Sequence, residues 1–339
     1  IDAFGEVGIT IKNTLIYNSL SRTLNGDVVR GLSNFTINDR ERNVRTLIGD
    51  RLVNSDALGG SFTVGGLSYF RDFGMDPYFI RNPGLNYSGA VATPSTLDVY
   101  SNGRLVRRIS LPPGQFQLND LPVPAGTNNA RFVLRDAFGR ERELSSQFFY
   151  FTSGLLKPGL HDFSYNIGAR RDDLANKSWG YETPIFLGQH RYGCSDLLTS
   201  GIRLEGSRRL VSGGPSLSLL LPVGELEIAS AASSDRGRNG GASYLGYSYI
   251  NGLFSFGTSI KFQSEQYANT SLEWNKDRFW IASGTYLAVP VTDVTTLNLR
   301  YALGVSRQDG REHRFQLFTS TRLHKNLTLF TGASYELLN

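Results

Sequence analysis

LNLRYALGV, residues 297–305, changes character at every step. Leu297, Leu299, Tyr301, Leu303 and Val305 form one row, and Asn298, Arg300, Ala302 and Gly304 the other. Successive side chains of an extended chain point to opposite faces, so this is a strand with one apolar and one polar face. The period of two recurs along the chain. Phe254, Phe256, Thr258, Ile260 and Phe262 oppose Ser255, Gly257, Ser259, Lys261 and Gln263. Phe315, Leu317, Thr319, Thr321 and Leu323 oppose Arg314, Gln316, Ser320 and Arg322. Leu327, Leu329, Ala333, Tyr335 and Leu337 continue the pattern, and Val7, Ile9, Ile11 and Leu15 begin it. No stretch of helical length carries apolar residues three and four apart.

Turn chemistry separates these runs: Asn25-Gly26-Asp27, Asn239-Gly240-Gly241, Asn251-Gly252 and Asp309-Gly310. The spacing predicts antiparallel hairpins of ~9–11-residue strands, the length that crosses a bilayer at a tilt. The face opposite the apolar row is rich in Gly, Ser, Thr, Asn and Gln with isolated Arg or Lys, which suits a water-filled lumen. Tyr244, Tyr247, Tyr249, Trp274, Trp280, Tyr286 and Tyr335 lie near strand ends, where aromatic girdles of membrane barrels sit. We count roughly a dozen strands after residue 155 and about four to six before residue 94, a set large enough to close or roll up because open edges invite aggregation. The expected fold is all-β, a transmembrane antiparallel β-barrel in part or truncated.

Composition agrees. The chain has 339 residues, 40% of them hydrophobic, and no run approaches the ~18 apolar residues of a membrane helix. The net charge of +5 comes from scattered basic residues, apart from clusters such as Arg104, Arg107 and Arg108. A nucleic-acid footprint would concentrate them on one face, so no nucleic-acid partner is expected. The single cysteine, Cys194, excludes an internal disulfide and reads as a lone buried thiol. His161, His190, His313 and His324 lack the HExxH spacing and read as lumen or loop histidines. Neither G-x-S-x-G nor GxxxxGK[ST] occurs. No catalytic residue, metal ligand or cofactor site is expected, and the chain is not read as an enzyme. It starts and stops on strand-like sequence and is expected to belong to a longer protein.

Residues 94–153 read differently. Leu97, Val99 and Tyr100 lead into a turn at Asn102-Gly103, and Leu105, Val106 and Ile109 return. Then comes SLPPGQFQLNDLPVPAG, residues 110–126. Proline fixes φ and cannot donate to a sheet ladder, so Pro112, Pro113, Pro122 and Pro124 predict a stiff, non-pairing crossover, with Asn119 and Asp120 capping its turn. A strand from Arg131 to Arg135, a turn at 136–139 and a return from Glu141 to Tyr150 follow. Charge is denser here than in the flanks. The expected organisation is barrel strands over 1–93, a small β-sandwich over 94–153 and further barrel strands over 154–339. Wide barrels need their lumens plugged, and a soluble unit in one connection can sit there.

Several blocks together resemble the outer-membrane ushers of chaperone–usher pilus assembly, a resemblance that covers essentially the whole chain. TLIGDR (46–51) resembles the strand end before the ushers' plug, and LDVYSNGR (97–104) the plug's first hairpin. SLPPGQFQLNDLPVPAG is similar to their PPGPF-x-INDL segment, with Gln115 where proline is usual and Leu118 where isoleucine is usual. RFVLRDAFG (131–139) resembles the strand and turn that follow. Phe149–Tyr165 resembles the return into the barrel, and YETPIFLGQHRYGCSDLL (181–198) the next hairpin. The wording is that of a divergent branch.

The resemblance implies a multi-pass pore in the outer membrane of a Gram-negative bacterium that assembles and secretes pilus subunits. Periplasmic chaperone–pilin complexes and outer-membrane lipid would be its partners, with a homodimer allowed. It implies a luminal plug whose gating motif is Pro112, Pro113, Gly114, Phe116, Asn119 and Asp120, with the hairpin turn at Asn102 and Gly103. Contacts between plug and wall are expected to be small and wet, without a buried ion pair. Full-length ushers add periplasmic domains on both sides of the barrel. The competing reading is a passive porin or uptake channel with an inserted plug. It explains the alternation equally well and the inserted sandwich less well.

Overall fold

The computed structural model describes the chain apart from residues 1–2, 23–25, 77, 84, 92, 102–103, 122–125, 137–139, 152–153, 173, 175–176, 252, 272–278, 308–309, 326 and 339. For 85–90, 101, 104, 115, 117, 119–121, 126–130, 142 and 144–151 it describes the backbone alone.

Five strands open the chain: β1 (Ala3–Ile11), β2 (Thr14–Arg22), β3 (Val28–Asp39), β4 (Val44–Asn54) and β5 (Ser61–Arg71). Six more follow: β6 (Leu85–Val91), β7 (Ser95–Ser101), β8 (Arg104–Leu111), β9 (Gly114–Leu121), β10 (Gly126–Asp136) and β11 (Glu141–Phe151). Then come β12 (His161–Arg171), β13 (Tyr181–Ser195), β14 (Leu198–Ser207), β15 (Leu210–Leu220), β16 (Glu225–Asp235) and β17 (Arg238–Ile250). The last five are β18 (Ser255–Gln263), β19 (Phe279–Pro290), β20 (Thr295–Ser306), β21 (Arg311–His324) and β22 (Leu327–Leu338).

Sixteen strands form one antiparallel sheet in the order β1 to β5, then β12 to β22. β5 pairs directly with β12 (Tyr69 opposite Tyr165), so the sheet closes over the point where β6 to β11 are spliced in. Among the described residues β1 and β22 each pair on one side only.

The sheet is greasy outside and polar inside, the reverse of a soluble sandwich. On β14, Ile202 is 63% and Leu204 50% exposed, while Arg203 and Glu205 between them are 2% and 0% exposed. Thr199, Ser212, Ser218 and Ser233 share the inner face with Arg203 and Glu205, all of them buried. Ile48, Leu52, Leu67, Ile167, Val211, Leu245, Leu299 and Leu317 are exposed outside. A bilayer supplies the missing cover for such a face, and with no edge-on water in the hydrocarbon every backbone group must be paired within the sheet. No helix among the described residues is long and apolar enough to cross a membrane. The barrel wall expected from the alternation is therefore present, with sixteen strands where the sequence count reached perhaps a few more.

Three local expectations fail. The turn read at Asn239-Gly240-Gly241 lies inside β17; the hairpin is made at Arg236-Gly237, with φ of 52° and 81°. Gly240 serves a close approach instead: a Cβ there would stand 2.2 Å from the Tyr267 nitrogen. Cys194 is exposed, not buried. It sits where β13 slips register between Gly193 and Ser195. Tyr244 and Tyr286, read as girdle residues, line an inner cavity with Glu227 and Ser259.

Candidate functional site

The spliced unit has its own core. β6 pairs with β9, and β8, β7, β10 and β11 form a second sheet in that order. Val91, Leu97, Val99, Leu111, Leu118 and Phe132 are buried together between them. β6 therefore belongs to this unit by hydrogen bonding, although it precedes residue 94. The reading of 110–126 as a non-pairing crossover also fails in its middle. The prolines occupy only the ends, and Gly114–Leu121 between them keeps every N–H and alternates Phe116 and Leu118 inward, which is enough for an eight-residue strand.

The motif residues separate accordingly. Pro112 and Pro113 are exposed and carry the chain from β8 to β9. Gly114 starts β9 at φ 133°, a conformation that only glycine adopts freely. Phe116 is partly buried against the core. Asn119 and Asp120 lie in β9, with only their backbone described. Asn102 and Gly103 lie outside the described residues, between paired β7 and β8.

One ion pair braces this core. Arg108 donates to both oxygens of Asp98, Nε to Oδ1 at 2.6 Å and Nη2 to Oδ2 at 2.8 Å. The Asp98 carboxylate is nearly buried and the Arg108 side chain half exposed. The Arg108 hydrogen bonds hold the Asp98 pKa below its ordinary value, against the opposing effect of burial. A depressed folded pKa gives stability that is present above the unfolded value of ~3.9 and is lost as pH falls through the folded one. We predict that thermal unfolding of this unit shifts down below about pH 4, and that Asp98→Asn removes that acid sensitivity while lowering stability at neutral pH. An unchanged acid limb in the variant refutes the role.

Two necks join the unit to the wall. Asn82 donates to the Leu155 carbonyl at 2.6 Å, and the Lys157 N–H to the Arg81 carbonyl at 2.8 Å, so the outgoing and returning chains run side by side. The returning neck, 154–160, follows the inner face. Leu155 and Leu156 are buried, the Leu156 N–H donates to Thr199 Oγ1 at 2.8 Å, and Arg191 donates to the Gly154 carbonyl. A Cβ on Gly154 would stand 2.0 Å from Glu225 Oε1. β10 comes against β17 of the wall.

At the other end of the strands, two connections fold inward and meet. The β4–β5 turn (55–60) and the start of the β18–β19 connection (264–271) lie far apart in the sheet. Yet Tyr267 donates to the Leu58 carbonyl at 2.6 Å, Asn269 to the same carbonyl at 3.2 Å, and the Ser61 N–H to Ser271 Oγ at 2.7 Å. Leu58 and Tyr267 are fully buried with Ala229, Ala231 and Ala242. The pair Arg203–Glu205 on β14 seats both connections. Glu205 takes hydrogen bonds from the Gly60 N–H at 3.1 Å and Thr270 Oγ1 at 2.7 Å, while Arg203 bridges to Glu205 at 2.6 Å and to Asp56 at 3.2 Å. These contacts make a strut across the inside of the curled sheet. Tyr267→Phe removes one donor, leaving Leu58 to Asn269 alone, and we expect a loss of about 0.5–1.5 kcal/mol, read as a lower melting midpoint and more frequent openings in single-channel records.

Sequence reading missed this strut because it depends on contacts between residues some two hundred positions apart. Its one local signal was the pair of charges at Arg203 and Glu205 on the polar face of a strand flanked by Ile202 and Leu204. The histidines also needed coordinates. His161 and His190 lie on the outer face, Nδ1 to Nε2 at 2.9 Å, beside Tyr165, Phe163 and Tyr192, within an aromatic belt at the neck end.

No family model matches the chain. It is 29% identical over 197 residues to the outer membrane usher protein FaeD of Escherichia coli, covering 56% of this chain and 22% of FaeD. It is 24% identical over 243 residues to the outer membrane usher protein FimC of Bordetella pertussis, covering 68% of this chain and 26% of that one. The chain thus spans about a quarter of the length of the curated relatives it matches. In fold it is similar to the translocation pore of the P pilus usher PapC, with a TM-score of 0.60 at 17% identity over 99% of this chain and 73% of that one. A chain of the E. coli P pilus tip assembly intermediate PapC-PapD-PapK-PapG gives 0.69 at 17% identity over 99% and 45%. Relatives and fold agree with the resemblance read from the sequence and with an outer-membrane location.

Proposed function

We propose, from the premise that this chain is related to the outer-membrane ushers, that it forms the wall and gate of a pore through which pilus subunits are assembled and secreted. The observation that carries the reading is a folded sandwich held by two paired necks, one of which runs along the inner face of a sheet that is greasy outside and polar inside. In this reading the sandwich is a plug, set in the bore at rest, and the segment Pro112, Pro113, Gly114, Phe116, Asn119, Asp120 with the Asn102-Gly103 turn shapes its gating surface. The strut of 55–60 and 264–271 obstructs the opposite mouth. Outer-membrane barrels carry short periplasmic turns and longer outer loops, so the strut end, where nine residues separate β12 from β13 and fifteen separate β18 from β19, faces outside.

The pore works without catalysis. Its partners are chaperone–pilin complexes arriving from the periplasm and the lipid around the wall, and a homodimer is compatible with both. A complex opens the gate only by the difference between its affinities for the open and closed states. The drive for export is strand exchange between successive subunits, a form of β-augmentation. Surface display of a chaperone-delivered pilin, in a host with no other usher and with this chain in its full-length protein, tests the reading. Display that requires the chain supports it. Permeability to small solutes without display favours the passive channel.

A further inference from the structure

The inner face of β17 to β20 carries three rings, each lying on a glycine. Tyr244 lies over Gly246 on its own strand: a Cβ at Gly246 would stand 2.7 Å from the Tyr244 hydroxyl and 3.1 Å from its ring. Tyr286 lies across Gly257, its cross-strand partner, where a Cβ would stand 2.2 Å from the ring. Phe279 lies over Gly304, with 2.5 Å to an added Cβ. None of these glycines has the positive φ that would require glycine for the backbone. What each supplies is room for a ring to lie down. Around them the same face holds Ser248, Ser259, Ala282, Gly284 and Ala302, and the space above it opens into cavities of about 340 and 460 Å³. The strut is seated at one end of this face, against Ala242 and with Lys261 donating to the Ala57 carbonyl, and Gly154 of the neck lines the smaller cavity.

We propose that Gly246, Gly257 and Gly304 are gauge residues: by holding Tyr244, Tyr286 and Phe279 flat against the wall they set the clear width of the bore. Resting on the pore reading above, this makes β17–β20 the track along which a folded subunit passes. The surface is suited to passage and not to capture. It offers ring faces and small side chains, with Lys261 and Arg300 as the long polar groups among them. An added side chain at Gly257 displaces the Tyr286 ring, and with the sheet beneath it and a strand on either side, the ring's free direction is into the lumen.

The test is a rescue in the full-length protein reconstituted in planar bilayers. Gly257→Val should lower the conductance of the open steps, and Gly257→Val with Tyr286→Ala should restore it, because the second change removes the displaced ring and leaves the first in place. A structural role for Gly257 would not be rescued in this way. Heat-modifiable migration in gels checks that both proteins fold. If Gly257→Val does not fold, Gly246→Ala with and without Tyr244→Ala carries the same comparison. Open steps unchanged in the single variant, or still low in the double, overturn the proposal. Pilin display is followed in parallel and should fall and recover with the conductance. A wild type that conducts but displays no pilin sinks the export reading, while the conductance comparison still decides the role of the rings.

Discussion

If the sandwich is the plug, excising residues 84–153 and joining Pro83 to Gly154 should turn a closed pore into a leaking one. The joint is chosen from the necks. Asn82 and Leu155, and Arg81 and Lys157, are already hydrogen-bonded, so the shortened connection keeps their pairing and returns the chain to β12. The wall does not depend on the excised part, because β5 and β12 pair with each other along eight residue positions. The removed piece takes its own core with it, from Val91 to Phe132, and leaves no half of a cluster behind. The expected result is an inserted, heat-modifiable barrel with a several-fold larger resting conductance and a host newly sensitive to large antibiotics and detergent. The rise is incomplete, since the strut on Arg203 and Glu205 still crosses the other end. Adding Tyr267→Phe to the excision should increase it again. A verified, inserted deletion with the wild-type conductance would show that the sandwich rests outside the bore, and the plug reading would fall.

The wall was legible in the sequence for a simple reason. A strand's side chains alternate, and a membrane wall needs one stripe greasy and the other wet, so Leu297 to Val305 states its fold without any partner. The same rule carried β18, β20 and β21. It failed wherever a third element decides the outcome. Tyr244 and Tyr286 look like girdle residues by type, yet register places them inside. Gly240 looks like a turn residue, yet it is small because Tyr267 rests on it. The proline segment was over-read: stiffness at its two ends does not unpair the eight residues between them, and their partner, β6, is too short and mixed to stand out from the loops around it. The segment proposed to gate was recognisable only by resemblance. Its residues take part in a sandwich core and its connections, and nothing in their spacing alone announces a gate.

Asp50 carries the largest expected effect on stability. It lies between Ile48 and Leu52 on the outer stripe of β4, both exposed, where an unpaired carboxylate would face hydrocarbon. The fold covers it completely. Oδ2 accepts from Arg171 at 2.5 Å, from Arg30 at 2.8 Å and from the Ser33 N–H at 3.1 Å, and Oδ1 accepts from the Tyr181 hydroxyl at 2.5 Å. Tyr181 can reach it because Gly65 on β5 has no side chain in the way; a Cβ there would stand 2.0 Å from the ring. The contacts tie β3, β4, β12 and β13 together across β5. That is the seam at which a connection running from 72 to 160 replaces a hairpin, and a long connection holds its two strands together less well than a short turn does. Replacing a buried pair with apolar groups is often harmless, but removing one partner strands the other's charge, at about 3–5 kcal/mol. Asp50→Asn keeps the shape and removes the charge, leaving Arg171, whose side chain is wholly buried, without its counter-ion. The variant should unfold at a markedly lower temperature or urea concentration, with β5 and β12 the first strands to exchange their amides. Asp50→Asn with Arg171→Met should recover part of the loss, since no uncompensated guanidinium is then left at that position. Equal stability of Asp50→Asn and wild type, or a double variant that falls by the sum of the two single losses, would mean that the seam is held by its backbone ladder alone.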